Sequence, residues 1–451
     1  MEKLFGTDGV RGVANDDLSP ELAYRLGKAG TYTLGRSARD KAPLVIIGKD
    51  TRISGDMLEE SLSAGVLAMG GHVVKAGVIP TPAIAYLVRE LGADCGAVIS
   101  ASHNSFEYNG IKFFNKDGYK LDDAIEDDIE TLVLHGANMN GYATGADIGR
   151  ACERAEDALR RYTDYLISGM ETDISGRKIV VDCANGAAVR AARMVFDALG
   201  AQTVFIGCDP DGININAGVG STHPDTLRAA VMAEGADIGL AFDGDADRLI
   251  AVDETGAIMD GDKIMYVCAR HMKQRGALTG NLITATVMSN IGLRVALENE
   301  EIDLQIADVG DRYVLEMMRE TGSVLGGEQS GHIIFAGRNT TGDGLFAALR
   351  LLEAITASGQ SASEATSGIR IYPQILKNAR VKAQNKGRYL NDPEIGIAIE
   401  KVEKQMKDEG RVLIRPSGTE PLVRVMLEGA DRAFIGRAAE ELADLIEKKL
   451  G

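Results

Sequence analysis

The residues with the most chemical content sit in one short run, Asp243-Gly244-Asp245-Ala246-Asp247-Arg248. Three carboxylates at every second position fall on one side of a locally extended chain. Crowded together without a cation, they repel and raise each other's proton affinity. A hard divalent ion with oxygen ligands relieves that repulsion, and magnesium suits phosphate chemistry. The plain alternative is a solvated acidic turn. The apolar runs Ile238 to Phe242 and Leu249 to Val252 argue against it, because they pin the loop on both sides.

Two other chemistries use the same residue types. An EF-hand loop also reads D-x-D-x-D, and Glu254 falls at its twelfth position. Its sixth position must be glycine, however, and here it is Arg248, between flanks that read as strands. An aspartyl phosphatase of the haloacid-dehalogenase type is the more serious rival. Asp243 would then be the nucleophile and Asp245 the acid/base.

Four further loops carry reactive or anion-binding side chains. Ser102 follows the apolar run Gly96-Ala-Val-Ile-Ser100 and precedes His103 and Asn104. A hydroxyl there can accept and return a phosphoryl group if the surrounding charge is neutralised. On spacing alone it reads equally as a polar loop residue, and no GxSxG elbow is present. Lys112 is a general acid/base if burial or cationic neighbours lower its pKa; a solvated strand-edge lysine is the plainer reading. Glu328, Ser330 and His332 stand among glycines in Gly326-Gly-Glu-Gln-Ser-Gly-His332. The carboxylate and hydroxyl suit sugar hydroxyls. The imidazole suits proton transfer, or a purely structural role. Arg415, Ser417, Gly418, Thr419 and Arg424 gather hydroxyls, N–H groups and two guanidiniums, a cradle for a phosphate dianion or else a structural turn. Arg11 lies in the glycine-framed Gly6-Thr-Asp-Gly-Val-Arg-Gly12, weak evidence by itself.

The elements that would position these loops are also legible. Leu44-Val-Ile-Ile-Gly48, Lys178-Ile-Val-Val-Asp182 and Leu282 to Val287 read as buried parallel strands. A polar loop and a helical pattern follow each, which is the βα alternation of parallel α/β domains. Roughly 45 to 60 residues later a second strand ends in a glycine-rich polar loop, a degenerate repeat. Those second loops hold Ser102, Asp243 and Glu328. Ligands of open parallel sheets sit beyond the carboxyl ends of strands, so facing domains would line one cleft with these loops. The tail differs: strands near Arg411–Arg415 and Leu422–Leu427 flank a loop, and a helix runs from about Arg432 to Leu450. The predicted fold is three similar α/β domains with mixed, mostly parallel sheets, plus a C-terminal α+β domain, around one central cleft. The predicted bounds are 1–153, 154–255, 256–368 and 369–451. The sequence at 150–156 reads as polar and helical.

In this order the segments resemble the α-D-phosphohexomutase family over almost the whole chain. Phe5-Gly-Thr-Asp-Gly-Val-Arg-Gly12, Gly48-Lys-Asp-Thr-Arg-Ile-Ser-Gly55, Asn214-Ile-Asn-Ala-Gly218, Asp308-Val-Gly-Asp-Arg-Tyr-Val314 and Thr340-Thr-Gly-Asp-Gly344 fit its amino-sugar branch. The resemblance implies an isomerase that interconverts glucosamine 6-phosphate and glucosamine 1-phosphate and so supplies UDP-N-acetylglucosamine and cell-wall precursors. Glucose or mannose phosphate is the alternative substrate. It implies that Ser102 is a phosphoserine, and that one Mg²⁺ per chain is held by Asp243, Asp245, Asp247 and the phosphoserine oxygen. A bisphosphorylated hexosamine would be intermediate and activator. Glu328 and Ser330 would read sugar hydroxyls, and the loop from Arg415 to Thr419, with Arg424, would grip the phosphate that is not transferred. Arg11, His103, Lys112, Arg248 and His332 match positions around the reacting centre. One departure stands out: Ser105 occupies a place that is usually proline. Losing proline's fixed φ would loosen the serine loop.

Composition narrows the remaining classes. The 451 residues suit about three domains, and 53 glycines are roughly 12% against an average near 7%. The net charge of −17 repels nucleic acid and anionic membranes. No run of 18 apolar residues suggests a span, and the N-terminus does not read as a signal peptide, so a cytoplasmic protein is expected. The expected partners are small-molecule sugar phosphates, with no nucleic acid and no membrane. A homodimer is compatible with the sequence, which does not fix the oligomeric state. Five cysteines without a CxxC pair suggest small buried hydrophobes rather than a zinc site or disulfides.

Overall fold

The computed structural model describes residues 4–6, 8–35, 41–135, 142–417 and 420–451. Leu44–Lys49, Lys178–Asp182 and Leu282–Thr286 are strands, each paired in parallel on both sides within its sheet. A strand flanked on both edges and covered on both faces has no polar side, which is why these runs show no alternation.

One local plan recurs in three sheets. In the first, Cys95–Ile99 lies parallel to Leu44–Lys49, and the chain returns through Tyr108–Asn115, antiparallel to it. In the second, Ile238–Phe242 lies parallel to Lys178–Asp182 and Leu249–Asp253 returns antiparallel. In the third, Leu325–Gly327 lies parallel to Leu282–Thr286 and Ile333–Phe335 returns antiparallel. The loops between those strand pairs are the ones that carry Ser102, Asp243 and Glu328. The sheets are therefore mixed, with six, five and four strands.

The described residues fall into two compact units. One comprises Met1–Met288 with Ile302–Ser367 and holds these three sheets. The other comprises Ser289–Glu301 with Gly368–Gly451. Its antiparallel sheet places Leu422–Gly429 between Gln374–Arg380 and Gly410–Pro416. Val425, Leu427, Ile395, Ile435 and Leu442 form its core. Helix Arg432–Leu450 starts at Asp431, whose carboxylate accepts the N–H groups of Ala433 and Phe434.

Three expectations need correction. Part of the stretch at 150–156 is strand: Ala151–Glu153 pairs with His72–Val78 at the edge of the first sheet. The aspartate loop is a tight turn rather than extended chain, with Ala246 at φ +57°. Cys95, Cys183 and Cys268 are buried, but Cys152 is exposed and Cys208 half-buried. No helix among the described residues is long and apolar enough to cross a membrane.

Candidate active site

The serine loop is built around one buried guanidinium. Arg52 donates from Nη2 to the carbonyls of Ser102 at 3.0 Å and Asn104 at 2.8 Å. Its Nη1 donates to the carbonyls of Tyr108, at 3.0 Å, and Ser105. Nε donates to Asp50 Oδ2 at 2.8 Å, which also accepts the Ser100 hydroxyl at 2.6 Å. Ser100 Oγ in turn accepts the Ser102 N–H at 2.9 Å. From the second sheet's segment, Asn216 Nδ2 donates to the Ser102 and Asn104 carbonyls, both at 3.0 Å. These bonds hold Ser102 at φ +51°, a left-handed conformation rare for a residue with a Cβ. The loop with Ser105 in place of proline is thus held by Arg52 and Asn216.

The clamp aims Ser102 Oγ at Asp243 Oδ2, to which it donates at 2.5 Å. Gly244 lies so close that a Cβ there would come within 2.5 Å of the Ser102 carbonyl oxygen. Only glycine permits that approach. Backbone bonds fix the rest of the aspartate turn: Thr81 N–H to Asp245 O, and Gly344 N–H to Ala246 O.

Asp243, Asp245 and Asp247 are buried, and one oxygen from each lies within 4.8 Å of the others. Burial, then the charges of Asp247 and Asp245, push Asp243 well above the usual carboxylate range. Burial and Asp245 likewise raise Asp247. Burial acts in the same sense on Asp245, but Lys112 and the Thr81 hydroxyl outweigh it and hold that carboxyl low. Asp245 Oδ1 and Asp247 Oδ1 are buried with no hydrogen-bond partner among the described residues. Orphaned carboxylate oxygens converging on one point are the donor set of a hard divalent cation, so these residues fit magnesium.

Lys112 is buried, with Nζ 3.0 Å from both Asp245 Oδ2 and Asp8 Oδ2. Burial works to lower its pKa, yet Asp245, Asp8 and Asp247 prevail and raise it. The expected solvated or pKa-lowered lysine is neither; it is a fixed ammonium. His103 behaves oppositely. Burial first, then Arg248 and Arg11, depress it to about 4, so the ring is neutral near pH 7.

Asp8 also takes Arg11 and Lys120. Lys120 continues to Asp311, whose Oδ2 lies 3.6 Å from His332 Nε2; Asp247 Oδ2 lies 3.8 Å from the same nitrogen. Gly342 donates its N–H to His332 Nε2 at 3.2 Å, which leaves the ring proton of a neutral imidazole on Nδ1. A Cβ on Gly342 would meet the His332 ring at 2.5 Å. In the third loop Glu328 Oε1 accepts the Gly310 N–H at 3.1 Å, and exposed Ser330 lies 3.5 Å from Glu328 Oε2. Arg248 Nε stands 3.8 Å from Asp247 Oδ1.

One unit therefore brings together Arg11, Ser102, His103, Lys112, the three aspartates, Arg248, Glu328, Ser330 and His332. Arg415, Ser417 and Arg424 belong to the other unit. There Arg415 and Arg424 are direct cross-strand partners, so two guanidiniums share one face. Lys386 donates to the buried Ser417's carbonyl at 2.8 Å. Gly418 and Thr419 lie outside the described residues. Sequence reasoning missed Asp8, Arg52, Thr81, Lys120, Asn216 and Asp311. Most stand in motifs already singled out, but only three-dimensional contact reveals what each one holds.

Four family models match the chain in order. Phosphoglucomutase/phosphomannomutase alpha/beta/alpha domains I, II and III match residues 2–139, 160–256 and 260–372, and the C-terminal domain matches 376–445. A phosphoglucosamine mutase of Alkaliphilus metalliredigens is 53% identical over 451 residues, the whole of both chains. A phosphoglucomutase/phosphomannomutase family protein of Burkholderia thailandensis superimposes with a TM-score of 0.80 at 25% identity, covering 99% of this chain and 98% of that one. The N-acetylphosphoglucosamine mutase of Aspergillus fumigatus, solved with GlcNAc-6P and magnesium, shares the fold with a TM-score of 0.68 at 17% identity, over 99% and 96% of the chains.

Proposed function

This chain belongs to the phosphoglucomutase/phosphomannomutase family, the α-D-phosphohexomutases, and from that premise we propose that it interconverts glucosamine 6-phosphate and glucosamine 1-phosphate. It is an isomerase, an intramolecular phosphotransferase. The observation that carries the reading is Ser102 Oγ held on Asp243 within the turn of three buried carboxylates.

Ser102 is the phosphoryl carrier. A free hydroxyl of the hexosamine monophosphate attacks the phosphorus; the new P–O bond forms as the bond to Ser102 Oγ breaks. The hydroxyl proton leaves to a neutral nitrogen, which the His103 ring supplies, while His332, whose Nε2 already accepts the Gly342 N–H, stands beside Asp247 and Asp311 at the reacting centre. The bisphosphorylated sugar turns over in the site and returns its other phosphate to Ser102. Asp243, Asp245, Asp247 and the phosphoserine would hold Mg²⁺, which when bound neutralises charge on the transferring group. Lys112, Arg11 and Arg248 supply fixed positive charge around it. Glu328 and Ser330 bind sugar hydroxyls. Arg415 and Arg424, two guanidiniums on one face of the sheet, take the phosphate that stays, with Ser417, Gly418 and Thr419. Four domains with bounds near 153, 255 and 368 complete the reading.

A coupled assay with glucosamine, glucose and mannose 1-phosphates side by side tests the substrate. Glucosamine 1-phosphate should have the highest kcat/KM. A clear preference for glucose or mannose phosphate would overturn the substrate assignment and leave the reaction class intact.

A further inference from the structure

A second cleft, of about 420 Å³, opens between the helices Gly261–Gln274 and Gly344–Ser358 and shares no residue with the site above. Three arginines line it: Arg275, Arg338 and Arg350. Their only acidic company in the lining is Glu171 and Glu353. Both are taken: Arg275 pairs with Glu171, and Glu353 lies 2.6 Å from Arg350 and 3.5 Å from Arg275. Arg338 is left over. Its guanidinium lies over the rings of Tyr165 and Phe346 and makes no hydrogen bond or close ion pair among the described residues, although its charge also acts on Glu171.

Arg350 Nε and His271 Nε2 are buried without a hydrogen-bond partner among the described residues. Burial, and then Arg275 and Arg350 against the opposing Glu353, keep the His271 ring on the neutral side. The remaining wall is apolar and partly aromatic, with Val324, Met272, Phe335 and Phe346; the two phenylalanine rings meet edge to face at 5.3 Å. A surplus guanidinium asks for an anion, and a phosphate matches its planar fork. Aromatic edges and a stacked arginine suit a flat ring. The volume is that of a small-molecule site.

We propose that this cleft binds an organic phosphate carrying a planar ring, a nucleoside monophosphate by chemical class, apart from the catalytic centre. The test is isothermal titration of the full chain with AMP and with UMP, in the presence of saturating glucosamine 1-phosphate. At least one nucleotide should bind, adenosine and uridine should not, and Arg338→Ala should weaken binding about tenfold, the size of one lost charge-assisted contact. Arg338 is exposed, so this variant should fold and keep its turnover of sugar phosphate. Absence of binding by both nucleotides, unchanged affinity in Arg338→Ala, or loss of binding when sugar phosphate is present would each overturn the proposal. Failure of the mutase reading itself would appear separately, as absent turnover.

Discussion

Asp8 is the residue on which three cations meet. Arg11, Lys112 and Lys120 all reach its carboxylate. Burial works against that charge, but the three cations hold the carboxyl well below its usual range. The consequence is that the positive groups around Ser102 are fixed relative to one another before substrate arrives, which is how preorganised charge accelerates a reaction. Asp8→Asn keeps the shape and removes the charge. It should cost about 2 kcal/mol of stability, the worth of hydrogen bonds to charged groups. Its kcat should fall at least tenfold. Thermal denaturation and the coupled assay check both; wild-type kcat in a folded Asp8→Asn protein would remove Asp8 from the account. Nothing in Gly6-Thr-Asp-Gly9 announces this role. Lys112 and Lys120 are 104 and 112 positions away along the chain, and no local pattern encodes contacts of that range.

At the scale of elements, the main strands were largely legible, because continuous apolar runs followed by glycine loops have few other readings. Geometry inside the loops was not. The alternation of aspartates suggested an extended chain, whereas the turn at Ala246 brings the carboxylates together. The serine at 105 suggested a loose loop and gave no sign that Arg52 reaches four carbonyls across it. Arg52→Lys retains the charge but loses the planar fork. It should lower kcat by about a hundredfold through misplacement of Ser102, with KM changed far less. Circular dichroism must show an intact fold, and unchanged kcat would show that the clamp is idle.

A helix end supplies a pH-dependent term. Asp343 caps helix Gly344–Ser358, accepting the Phe346 N–H at 2.9 Å and the Tyr162 hydroxyl at 2.9 Å. Burial, only partly offset by those bonds, pushes its carboxyl up to about 7. An acid whose pKa is higher in the fold binds more protons folded than unfolded. Stability from this group is therefore lost as pH rises from 3.8 through about 7. Asp343→Asn keeps the cap and removes the titration. Between pH 5 and 8 the melting temperature of the wild type should drop relative to that of the variant. Parallel profiles would contradict the assignment.

At the scale of the whole molecule, the same strand–loop–return plan appears in three sheets, and each copy delivers a different chemistry: a hydroxyl, a turn of three carboxylates and a loop with a lone glutamate. That division explains why no single loop identified the reaction by itself in the sequence. The net charge of −17 sharpens the point, because an anionic protein that handles phosphates must concentrate its cations locally. Arg11, Lys112, Lys120 and Arg248 in one unit, and Arg415 and Arg424 in the other, are that concentration.

The claim on which all of this turns is that Ser102 carries the phosphoryl group. Peptide mapping by mass spectrometry, after incubation with a hexose bisphosphate, tests it directly. The account predicts one phosphate, stable as a phosphoserine at Ser102, and neither phosphate nor turnover in Ser102→Ala. Phosphate on Asp243, or sustained mutase turnover by Ser102→Ala, would contradict it.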